Sequence, residues 1–163
     1  MAISLSIYQA SVPVFVRTLG VLSHILEKGA AFAEARKIEP AVLINDRLAP
    51  DMLQLSSQVQ IASDMAMRGV ARLAGVEFPS NPELQERIAK TLRFLDSLSA
   101  KQVDGSEDKS IIIKMRDGDV TFSGQDYLLN FVLQNLYFHV TAAYLILRHN
   151  GVELGKKDFL GGV

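Results

Sequence analysis

The chain reads as an all-α protein, a four-helix bundle with one small β-hairpin between the third and fourth long helices. Three observations carry that reading: four long segments with apolar residues at helical spacing, one short run of alternating β-formers around an Asp-Gly pair, and 48% hydrophobic against 21% charged residues in 163 positions. Such a composition fills one core, so residues 1–163 are expected to form a single domain.

The first stripe is Phe15, Leu19, Leu22, Leu26, Ala30 and Ala33. It predicts a helix from Ser11 to Arg36, with Pro13 in its first turn, where a missing N–H costs nothing, and residues 3–10 as a preceding turn. His24 falls opposite the stripe and is expected in solvent. Pro40 breaks the pattern, and Ala41 to Ile44 is expected as a single turn plugging one end of the core. Ala49-Pro50-Asp51 is read as the start of the second long helix, whose stripe is Leu55, Val59, Ala62, Ala66, Val70 and Leu73, with Gly75 as its stop. On that reading Asp51 and Gln58 share an edge of the stripe.

Ser80 or Asn81 caps a third helix carrying Leu84, Ile88, Leu92, Leu95 and Leu98, which stops near Ser99. Residues 102–109 are polar and turn-rich. Ile111 to Met115 and Val120 to Phe122 then flank Arg116-Asp117-Gly118-Asp119 as a hairpin, which must pack on the helices to be stable.

Ser123 and Gly151 bracket the fourth long helix. At about 100° per residue, Leu128, Val132, Asn135, His139, Ala142 and Ile146 fall on one line, so an amide and an imidazole sit in the apolar face, i and i+4, able to share a partner. Asn130, Gln134, Tyr137, Thr141 and Arg148 face water. Tyr127, Phe131, Phe138 and Leu145 widen the apolar surface beyond what one core needs, so either the hairpin or a second subunit covers it, and a homodimer is expected.

Charge and composition exclude several classes. The net charge is -1 with 17 scattered basic residues, which gives no footprint for nucleic acid or an anionic membrane. The absence of cysteine removes disulfides, thiolate metal sites and thiol nucleophiles, and fits a cytoplasmic protein. No signal peptide is expected, because the first apolar run lacks basic residues before Arg17 and is broken by Ser11 and Pro13, and no membrane span is expected, because no apolar stretch approaches roughly 18 residues. Gly155-Lys156 is not a phosphate loop: three residues rather than four separate Gly151 from Gly155, and Lys157 stands where Ser or Thr is needed. No serine or cysteine is spaced to make His139 the base of a nucleophile.

Asn135 to Gly151, followed by Gly155-Lys156-Lys157-Asp158-Phe159-Leu160-Gly161, together with Tyr8 to Pro13 and Leu48 to Met52, resembles an uncharacterised bacterial family of the DinB/YfiT-like four-helix-bundle superfamily. That superfamily includes metalloenzymes, among them metal-dependent thiol S-transferases. The resemblance implies three metal-binding histidines, one on the second helix and a His-x-x-x-His pair on the fourth, near a Leu-Arg-x-x-Gly ending. Leu147-Arg148-His149-Asn150-Gly151 matches that ending, which aligns His139 with the second histidine of the pair and Asn135 with the first; Gln58 is the nearest equivalent on the second helix. Two of three ligands are then amides, poor donors for zinc, although Asp51 could add a carboxylate within reach. Three readings stay open for His139, Asn135, Gln58 and Asp51: an interior polar network, a small-molecule pocket, or a divergent site for a metal such as zinc or nickel serving a transferase or hydrolase. No cofactor is predicted, and His139 is the residue that would hold a metal.

Overall fold

The computed structural model describes residues 4–78 and 84–162, with Leu84 and Gln85 described in backbone only. The expected cap at Ser80 or Asn81 and the Leu84 side chain lie outside the described residues. The chain is mostly helical, with one antiparallel two-stranded hairpin. In order come α1 (Ile7–Arg36), α2 (Pro40–Asn45), α3 (Leu55–Ala74), α4 (Leu84–Asp96), α5 (Ala100–Val103), β1 (Ile111–Met115) and β2 (Gly118–Phe122). After them come α6 (Gly124–Asp126), a π-helical segment (Tyr127–Val132), α7 (Leu133–His149) and α8 (Lys156–Phe159).

α1 starts earlier than its stripe implies, because Ser6 accepts from Gln9 N while Gln9 Oε1 accepts from Ser6 N, a reciprocal cap. Residues 7–10 are therefore helical rather than a turn, and Pro13 lies inside the helix instead of in its first turn. By length and composition alone α1 could cross a membrane, which corrects the expectation that no stretch approaches a span. Phe15, Leu19, Leu22 and Ile25 spend that apolar content in the core, where none is exposed. Ala30 is exposed, and Gly29 and Ile25 take its place on the buried face.

α2 buries only Leu43 and leaves Val42 and Ile44 exposed. The chain then turns through Pro50 and Asp51, and α3 begins at Leu55 rather than at Pro50. Its predicted stripe is wholly buried, and Gly75, at φ +69°, ends it in the left-handed conformation. α3 packs along α7 and the π-helical segment, with α4 and α1 on its other sides. Gly69 permits that approach: a Cβ there would lie 2.6 Å from Val132 Cγ1.

In the hairpin Met115 pairs with Gly118, so Arg116-Asp117 is the two-residue turn and Gly118, at φ +124°, opens β2. Phe122 then sits against Tyr127 and Phe131, at ring-centroid distances of 6.1 and 5.5 Å. Tyr127, expected at the side of the helix, is buried under this aromatic cluster and accepts a bond from Arg72 Nη1 at 2.9 Å. Phe138 and Leu145 stay exposed. The hairpin thus covers half of the wide apolar surface and leaves the other half open.

Candidate functional site

The last long helix does not keep α-helical phase. Between Tyr127 and Val132 it widens into a π turn, closed by Leu133 N–H bonding Leu128 C=O. A wider turn changes which carbonyls the following N–H groups reach, and two side chains act at this point. Asn135 Nδ2 donates to Phe131 C=O at 2.7 Å, and Gln134 Nε2 approaches Leu129 C=O at 3.5 Å. Asn135 is half-buried and bonds to its own helix, not to His139. The shared partner expected for the two is not formed.

His139 does point inward. It is 8% exposed, and its Nδ1 lies 2.7 Å from Gln58 Oε1 on α3, which is 1% exposed. Gln58 Nε2 donates to Leu53 C=O at 2.9 Å, so the amide nitrogen is committed and the oxygen faces the ring. An amide oxygen only accepts, so Nδ1 carries the proton and Nε2 the lone pair. Burial pushes the imidazole below its ordinary value of 6.5, because the charged ring is poorly solvated there. The ring is therefore neutral at neutral pH. A three-member chain runs from α7 through α3 to the turn before it: His139, Gln58, Leu53 C=O.

Asp51 is exposed in that turn and is not on α3, so the helical edge it was expected to share with Gln58 does not exist. His24 is exposed, as its phase implied, and it has a partner that spacing could not reveal: Nε2 lies 3.1 Å from Asp158 Oδ1. Lys28 Nζ bonds the same oxygen at 3.0 Å, and Gly155 N–H donates to the other at 2.8 Å. The Gly155 bond, then Lys28 and His24, hold the Asp158 carboxyl well below the usual carboxylate range.

The side chains named as candidate metal ligands do not converge on one point. Gln58 Oε1 already accepts from His139, the Asn135 amide is turned onto its own helix, and Asp51 stands in solvent. Among the described residues no group of three or more His, Asp or Glu side chains converges.

The family described as a domain of unknown function (DUF1993) matches residues 7–160. A crystal structure of a DinB family member protein from Shewanella denitrificans aligns with a TM-score of 0.86 and 40% identity, covering 96% of this chain and 92% of that one. No curated protein matches. The chain belongs to the DUF1993 family, within the DinB-like proteins.

Proposed function

We propose that this chain is a binding or structural protein built as a DinB-like four-helix bundle of α1, α3, α4 and α7, in which a direct hydrogen bond takes the place of a metal. The observation that carries the proposal is the 2.7 Å contact between His139 Nδ1 and Gln58 Oε1, with Gln58 anchored on Leu53 C=O. Where a histidine on each helix would grip one ion, an amide and an imidazole grip one another. The bond joins α3 to α7 without a cofactor, and it leaves no polar atom of Gln58 unused.

The bundle acts as a homodimer in the cytoplasm, with Phe138 and Leu145 in the subunit contact. Phe138 at 58% and Leu145 at 40% exposure support this, since both stand on one side of α7 beyond the hairpin's cover. Light scattering should give twice the chain mass, and Phe138→Asp should return it to one.

Elemental analysis of protein purified without a metal-affinity tag tests the reading of the site. Less than about a tenth of an equivalent of any transition metal is expected, with melting unchanged by chelator. A full equivalent of zinc or nickel, lost in His139→Ala, would support instead a divergent metal-dependent enzyme of the transferase or hydrolase class, with His139 Nε2 as ligand.

A further inference from the structure

We propose that a groove between α1 and the C-terminal turn binds a small amphipathic carboxylate, with Arg17 as its anion contact. The groove uses none of the residues of the His139–Gln58 pair. It consists of two hollows that both reach the C-terminal turn. One, of about 240 Å³, is walled by Val14, Thr18 and Val21 of α1, Tyr137 and Val140 of α7, and Phe159. Thr18 turns its hydroxyl back onto Val14 C=O at 2.8 Å, and the wall is mostly apolar. The other, of about 520 Å³, is lined by Gly20, His24, Lys157 and Asp158 among others. Arg17 and Val21 line both hollows, which places the guanidinium at the junction.

The charges at that junction favour an anion. Among the described residues, Arg17 donates from Nη2 alone, to Leu160 C=O at 2.8 Å, and keeps the other donors of a planar fork that matches a carboxylate. Asp158 does not compete for it, because Gly155 N–H, Lys28 and His24 already bond its two oxygens. Lys157 adds a second positive charge to the larger hollow. An apolar hollow opening onto a part-used guanidinium fits a short alkyl chain that ends in a carboxylate.

Octanoate titrated into ¹⁵N-labelled protein at neutral pH tests this, with octanol and inorganic phosphate as controls. Saturable shifts are expected in the amides of Val14 to Val21 and Phe159 to Gly162, at least about tenfold weaker for octanol, for phosphate and for Arg17→Gln. Arg17→Gln removes the guanidinium and keeps a polar side chain, and Asn130→Ala, which changes an exposed residue outside the groove, should bind octanoate within about twofold of the wild type. No saturable shift up to about 10 mM, equal binding by Arg17→Gln, or equal binding of octanol or phosphate would overturn the proposal.

Discussion

The contact between α3 and α7 and the seam between α1 and the C-terminal turn both join distant parts of the chain through polar groups, yet they spend those groups differently. At the first, Gln58 and His139 are buried and each polar atom of the amide is matched by one partner. At the second, Asp158 collects three donors while Arg17, exposed, gives up one. A closed polar contact holds a fold together, because losing either partner strands the other in a dry place. An open one can take a ligand, since its remaining donors lose only water when they bind. On the proposals made above, the first region serves stability and the second binding.

The largest effect that could break this contrast is at the imidazole. His139→Ala strands Gln58 Oε1 and leaves a ring-sized void, and should cost about 3 kcal/mol in urea unfolding. Gln58→Ala should cost about 2 kcal/mol by stranding the Nδ1 proton. The two changes together should cost less than their sum by about 1 kcal/mol or more, a coupling that independent sites would not show.

Acid should act on the same bond. Above the ordinary value of 6.5 the ring is neutral both folded and unfolded, and stability is full. As pH falls below 6.5 the unfolded chain takes up a proton that the buried ring refuses, so stability declines until the folded ring also protonates. His139→Gln should flatten that part of the stability curve. A curve equally steep in the variant would assign the slope to other groups.

Smaller effects follow. Asn135→Ala removes one half-buried bond to Phe131 C=O and should cost about 1 kcal/mol, with no coupling to His139. Asp158→Asn touches a partly exposed cluster, so it should barely move melting while speeding amide exchange in residues 155–161.

How much of this could be read from residues alone depends on distance along the chain and on backbone regularity. The α3 stripe and its Gly75 stop follow from local spacing, and each of those residues is where spacing put it. His139 also points inward as its phase required, and Gln58, chosen as the nearest second-helix equivalent, meets it. Asn135 lies on the inward line of α7 that spacing predicts, but its amide turns back onto Phe131 C=O, a bond that spacing does not show. Asp51 lies off α3 because Ala49-Pro50-Asp51, which reads as a helix start, is a turn and the helix begins only at Leu55. Ser6 with Gln9 did carry a capping signal that places the start of α1. The groove at Arg17 had no local signal, since its guanidinium meets a carbonyl 143 residues away.

Whether Gln58 stands in for a metal turns on which nitrogen of His139 holds the proton. Long-range ¹H–¹⁵N correlation of the ring at pH 7.5 reads it directly. A neutral imidazole protonated at Nδ1, with shifts unchanged by EDTA, is the predicted result; a ring protonated at Nε2, or one whose nitrogens shift when metal is stripped, would contradict it.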